Sequence, residues 1–393
     1  MFCRLLLLAL AAMAATPARA DLGTIDDVAA ATLLFPHFEV NPTAPNGVNT
    51  ILTVQNTSAS AGVVSVTLWT DYGIPTAKFN LYLTGYDTET LDLRAVLNRA
   101  PPITADAGDD PTDQISPKGP ISQDINFPGF NSLVSGGGSY FPRSLIAAHT
   151  GQASDEYFGG LCGARNYGDG IARGYVTMDD FNNQTNLRPD QPGYFSDIGF
   201  RNIWAGSYMV LEPARGRVYT DGAVAIEASP NDPLVSTPGN LTFYSRFNGS
   251  NASDRREPLP TAWAGRYASG RTDVDTWRDP GVAVAPFACG GAPLGLPSGQ
   301  RAVIGYDVNG TVVGTPAGNL FPFVAGTTLG SSLSLNQPLG WLFVNLNPSA
   351  GVIRQSWMTF RQIPSSAPTN GRMGYSVPGI QLGNAAFGAD PAN

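Results

Sequence analysis

Three short segments of this 393-residue chain bring tryptophan together with carboxylates, and two of them with guanidinium groups as well. The first is Trp69-Thr70-Asp71-Tyr72. The second runs from Asp254 to Tyr267 and holds Trp263 and Arg266. The third, Thr272 to Asp279, holds Asp275 and Trp277. An aromatic face stacks on the C–H surface of a sugar while neighbouring Asp and Arg groups bond its hydroxyls. Trp69, Asp71, Trp263, Arg266, Asp275 and Trp277 are therefore the candidate ligand-binding residues. The same residue types also build struts. An Arg–Asp pair locks a loop against a sheet through bidentate hydrogen bonds, and a buried Trp fills a core edge with its N–H satisfied. Structural locking is the favoured reading of the pattern, with ligand binding as the alternative.

Other chemistries find less support. Asp106, Asp109, Asp110 and Asp113 could supply oxygens to calcium, a hard cation that takes six to eight of them, but the spacing lacks the glycine and terminal glutamate of an EF-hand loop. A solvated acidic loop is the preferred reading, and no cofactor other than calcium is suggested. The chain has two histidines. His37 falls on a strand face with Phe35 and Glu39, beside Pro36, and His149 follows Leu145-Ile146-Ala147-Ala148. A lone histidine among apolar residues is typically a packed, hydrogen-bonded side chain. The chain contains no HExxH helix motif, no nucleotide-binding fingerprint and no GxSxG nucleophile elbow. Gly136-Gly137-Gly138 lacks the lysine and the helix that phosphate cradling needs. A glycosidase pair of carboxylates is unconstrained by sequence, because 31 acids are present.

The elements that must position these groups begin after a leader. Met1 to Ala20 has a positive residue, Arg4, an apolar run from Leu5 to Ala15, and the small-x-small ending Ala18-Arg19-Ala20, the pattern of a cleaved export signal. Its removal takes away Arg4 and Arg19 and no acid. The 23 basic residues fall to 21 against 31 acidic ones, a formal charge of −10. An acidic surface is a poor partner for nucleic acid. No later run is apolar for long enough to suggest a membrane span, so a periplasmic or extracellular setting is expected. Cys162 and Cys289 remain after the leader, and an even pair in an exported protein predicts a disulfide.

Gly 45 and Pro 32 with only 14% charged residues exclude long helices and coiled coils, and 42% apolar content argues against disorder. Thr24 is placed to cap a short helix over 26–31. Leu33–Val40 reads as a strand in which Pro36 marks an edge or a bulge. Asn49–Asn56, Val63–Thr70, Phe79–Thr84 and Glu89–Leu93 follow as a meander or Greek key. In Val63–Thr70 the residues Val64, Val66 and Leu68 alternate with Ser65 and Thr67, the pattern of a half-buried strand. Ala100–Phe130 is rich in Pro and Asp and marks a boundary or functional loop. Later strands are expected at 170–179, 217–228, 241–248, 301–314, 340–346 and 355–363, with Asn309-Gly310 as a hairpin turn.

The composition and strand pattern predict an all-β antiparallel β-sandwich, built as two joined modules with long loops. The expected division is 1–20 leader, 21–100 N-terminal module, 101–130 loop or linker, and 131–393 larger sandwich module. A single decorated sandwich is the alternative.

Leu68-Trp69-Thr70-Asp71-Tyr72-Gly73-Ile74-Pro75-Thr76 and Tyr82-Leu83-Thr84-Gly85-Tyr86-Asp87 resemble a family of exported bacterial β-rich proteins with no assigned activity. Arg173-Gly174-Tyr175-Val176, Arg256-Glu257-Pro258-Leu259-Pro260-Thr261 and Gly340-Trp341-Leu342-Phe343 extend the resemblance. It implies an envelope or extracellular setting and transfers no catalytic residue. The expected role is non-enzymatic, structural or ligand-binding, with a glycan or surface protein as partner and self-association through an exposed sheet edge. The alternative is a carbohydrate-binding or carbohydrate-active protein that uses Asp, Glu and Trp.

Overall fold

The computed structural model describes residues 28–98, 141–182, 187–249, 253–268, 271–293, 299–315, 325–329, 339–348, 354–363 and short strands between 372 and 384. The leader 1–20 and the stretch 101–130, with Asp106, Asp109, Asp110 and Asp113, lie outside the described residues. The chain is mostly β. Its first strands are β1 (Thr32–Val40), β2 (Asn49–Asn56), β3 (Gly62–Thr70), β4 (Pro75–Leu83) and β5 (Thr88–Asp92). Then come β6 (Ala172–Phe181), β7 (Trp204–Glu212), β8 (Arg217–Gly222) and β9 (Val224–Ile226). Helices are short: α1 (Leu93–Asn98), α2 (Pro142–His149), α3 (Asp155–Phe158), α4 (Tyr194–Asp197), α5 (Pro233–Ser236) and α6 (Ser245–Asn248).

The remaining strands are β10 (Pro260–Ala268), β11 (Arg271–Arg278), β12 (Ala302–Asp307), β13 (Val312–Gly314) and β14 (Ala325–Leu329). They end with β15 (Leu339–Asn345), β16 (Ser356–Ile363), β17 (Arg372–Met373), β18 (Tyr375–Pro378) and β19 (Ile380–Asn384). Four sheets result, ordered β4-β3-β6-β1-β9, β17-β8-β7-β2-β5, β13-β12-β15-β10-β19 and β14-β11-β16-β18. Pairing is antiparallel except between β17 and β8. The first two sheets enclose one apolar core, with Leu33, Phe35, Leu52, Val54, Val64 and Val66 at its centre. The last two enclose a second, with Trp263, Val274, Leu342, Val344 and Phe360. A Cβ on Gly265 would overlap the Phe360 ring, so the close contact between these sheets requires glycine there.

The β4-β3-β6-β1-β9 sheet is the wall shared by both cores. Leu34, Val63, Trp69, Tyr175, Val224 and Ile226 project from its second face into the second core. The sequence pattern of β3 predicts one solvated face, yet all nine of its residues are buried. Ser65 and Thr67 face a polar interior instead of water. There Asp179 of β6 accepts hydrogen bonds from Thr32 Oγ1, Tyr194 OH (2.6 Å) and Tyr244 OH (2.7 Å), and pairs with Arg256 at 3.5 Å.

Other elements also depart from expectation. Val28–Ala31, the described part of the expected first helix, is not helical, and Ala30 bridges Trp204. β1 is an inner strand between β6 and β9, and its proline sits at a bulge, not at an edge. Residues 217–228 divide at Ala223, so β8 and β9 join different sheets. Residues 241–248 end in α6, where Thr242 N donates to Ser245 Oγ at 2.7 Å and Ser245 N to Thr242 O at 3.1 Å, a local bonding pattern that favours a helical turn. The Asn309-Gly310 hairpin exists, but Gly310 alone of the pair has positive φ (80°). Asp307 Oδ1 accepts from Asn309 N and Thr311 N, both at 2.8 Å, giving a three-residue loop in place of the two-residue turn.

Strands of 21–100 hydrogen-bond to strands of 131–393: β1 with β6 and β9, β2 with β7, and β3 with β6. Only β3 and β4 form a sequential hairpin among the first five strands. Cys162 and Cys289 form a disulfide across a sequence separation of 127 residues. Among the described residues no helix is long and apolar enough to cross a membrane.

Candidate functional site

The bulge in β1 creates the site. The register with β6 runs Phe35 opposite Val176 and then Phe38 opposite Gly174, one residue extra on β1. Phe35 and Phe38 therefore both enter the first core. His37 and Glu39 go the other way, which separates His37 from Phe35, contrary to simple alternation. Arg173, directly opposite Glu39 in register, donates from Nε to Glu39 Oε1 at 2.8 Å. Its Nη1 and Nη2 bond both oxygens of Asp169 at 3.0 and 2.7 Å, and its plane lies over the Tyr167 ring.

The facing wall comes from the outer face of β11 and β16. The Thr272-Asp273-Val274-Asp275 alternation sends Val274 into the second core and both carboxylates outward. Asp273 stands opposite Arg361. Arg361 Nη2 donates to Asp275 Oδ1 at 2.6 Å, and its guanidinium lies over the Tyr219 ring. The end of β7 supplies Glu212, bonded at 3.2 Å by Arg215 of the turn that follows. Between these walls lies a cleft of 330 Å³ that Val48, Ile171 and Ala214 complete with aliphatic surface.

His37 sits behind Glu39. It is 1% exposed, and its Nε2 is 3.9 Å from Glu39 Oε1, beyond hydrogen-bond range. Neither ring nitrogen has a hydrogen-bond partner. Burial pushes its pKa below the ordinary histidine value, against the pull of Asp275 and Glu39, so the ring is neutral at pH 7. A neutral imidazole brings one donor and one acceptor.

His149 is the opposite case. Its Nδ1 is 3.0 Å from Arg173 O, so the proton sits there, and Nε2, 2.9 Å from Thr76 Oγ1, accepts the threonine hydroxyl. Burial pushes its pKa down to about 4. It is a core histidine with both nitrogens used.

The tryptophans singled out by sequence are struts. Trp69 stacks flat on Tyr175 (5.5 Å, 4°) and donates to Thr177 Oγ1 at 2.9 Å, with Arg246 over its ring. Trp263 donates to Ser356 Oγ at 2.9 Å and meets the edge of Trp357. Trp277 stacks on Phe243. All three are at most 2% exposed, so none offers a face to a sugar. Arg266 is exposed and lies over Trp341. Asp71 accepts from Arg165 N at 3.1 Å and is pushed up to about 7 by burial. Of the six, Asp275 is bonded to a residue that lines the cleft, Arg361.

Sequence reasoning missed Asp169, Arg173, Glu212, Asp273 and Arg361 as a group. The period-two spacing of Asp273 and Asp275 was the available signal, since it puts two acids on one strand face. Among the described residues no group of three or more His, Cys, Asp or Glu side chains could hold a metal ion. A second hollow, 390 Å³, lies over Phe195 and Phe247, and Asp190, the ionisable group lining it, is bonded to Arg188. Searches of protein-family models, curated proteins and solved structures find no match to this chain.

Proposed function

We propose that this is a non-enzymatic exported binding protein, periplasmic or extracellular, and that the charged cleft is its ligand site. The observation that supports this reading is the cleft itself. It lies between the shared wall and the outer face of β11 and β16, where clefts between packed units commonly receive small molecules. Its charged groups are held in fixed positions by one another, which suits recognition. Of the strongly perturbed groups, Asp71 and His149 are shut into the core at 3% and 1% exposure, where they act as structural bonds. A disulfide fits an oxidising compartment.

The test is a binding and turnover screen of the mature protein against small polar metabolites and glycans, with Asp169→Asn as control. Saturable binding without turnover, weakened at least tenfold in the variant, is expected. Turnover abolished by a single carboxylate substitution would overturn the non-enzymatic reading.

A further inference from the structure

Within that reading, we infer that the cleft takes a small, neutral, polyhydroxylated ligand of monosaccharide or polyol class, held by charged side chains without an aromatic platform. The charge pattern comes first. Arg173 is matched by Glu39 and Asp169, Arg215 by Glu212, and Arg361 by Asp275, with Asp273 standing opposite Arg361 in register. An anion or cation entering this array would have to break a pair or sit beside a charge of its own sign. A neutral ligand does neither.

The unused hydrogen-bonding capacity comes second. Arg361 is 7% exposed, and its Nε–H has no acceptor, although the residue lines the cleft. Buried polar groups without partners are rare and call for one. Donors and acceptors intermixed over a short span match the hydroxyl, which both donates and accepts. Carboxylates and guanidiniums that are already paired retain further lone pairs and N–H groups for vicinal hydroxyls.

Size and surface come third. A volume of 330 Å³ is near the lower end for ligand sites, roughly 300–1,000 Å³. Val48, Ile171 and Ala214 give the C–H face of a ring an aliphatic surface to rest on.

The experiment uses the intact mature protein and ligand-observed NMR, followed by calorimetry on hits. The probes are aldohexoses and hexitols, with zwitterionic amino acids, dicarboxylates and diamines as the comparison. The variants are Val48→Trp, which fills the cleft from the chain entering β2, and Asp169→Asn, each checked by thermal melting for an intact fold. Binding of a neutral hexose or hexitol, at least tenfold weaker in both variants and tighter than any charged probe, is expected. If a charged probe binds and Val48→Trp abolishes it while no neutral probe binds, the ligand class is wrong and the cleft remains a binding site. If a hexose binds equally well in Val48→Trp, the sugar sits elsewhere and the inference falls. If no probe of any class binds, the inference and the binding reading both fall.

Discussion

At the scale of single residues, burial decides what each ionisable group does. Asp71 is enclosed, and its pKa rises from an ordinary 3.8 to about 7 because burial outweighs the hydrogen bonds from Arg165 N and Tyr167. In the unfolded chain the carboxyl ionises near 3.8, while in the folded protein it holds its proton to about 7. The stability it contributes is fully present below pH 3.8 and is lost as pH rises to 7, a penalty on the order of 4 kcal/mol. Asn in its place keeps an acceptor for Arg165 N and cannot ionise. Urea denaturation of Asp71→Asn and wild type, disulfide intact, should give curves that diverge between pH 4 and 7, with the variant more stable at pH 8. Comparing the two cancels the opposite slope of His149, whose pKa near 4 makes stability rise between pH 4 and 6.5. The tryptophans obey the same logic of burial. Trp277→Ala should cost about 3–5 kcal/mol in denaturant midpoint analysis. If the variant lost ligand binding at unchanged stability, the strut assignment would be wrong.

At the scale of elements, β3 shows what its sequence does and does not disclose. The alternation of Val64, Val66 and Leu68 with Ser65 and Thr67 is a strand in any context. Whether the polar face meets water depends on residues 187–260, far along the chain, which cover it with α4 and α6. Period-two patterning has no access to that cover, because Ser and Thr suit a solvated face and a buried polar one alike. The bulge in β1 was legible from Pro36, and the disulfide from a pair of cysteines. The cleft was not, because Glu39, Arg173, Glu212 and Arg361 come together only once the four strands β1, β6, β7 and β16 are in place. Ser65 Oγ and Thr67 Oγ1 remain buried without partners, whereas Thr177 Oγ1 accepts the Trp69 N–H. Replacing an unpartnered hydroxyl by a methyl of the same shape removes a desolvation cost; replacing a partnered one creates one. Thr67→Val should raise stability by about 1 kcal/mol and Thr177→Val lower it by about 1–3 kcal/mol. Equal effects in both, measured by urea denaturation, would mean that the two hydroxyls have the same surroundings.

At the scale of the whole molecule, the shared wall determines cooperativity. β1, β3 and β6 are closed on both faces, so the two cores are expected to unfold together: removing the second sandwich would strip cover from Leu34, Trp69, Tyr175 and Val224. The disulfide adds a second tie. Cys162 and Phe287 exchange backbone hydrogen bonds at 2.9 Å, and Phe287 meets the edge of Tyr72, which follows β3. The bridge thus pins the segment after β11 against the wall, and loop entropy over 127 residues assigns it about 5 kcal/mol by the chain model. Calorimetry of the oxidised protein should show one transition with equal calorimetric and van't Hoff enthalpies. The Cys162→Ala/Cys289→Ala variant should melt at lower temperature and still in one step, because the apolar contacts across the wall remain when the covalent tie is gone. Two separated transitions in the oxidised protein would instead mean that the sandwiches fold independently. The wall would then be a contact surface between finished domains, not a core that both of them need.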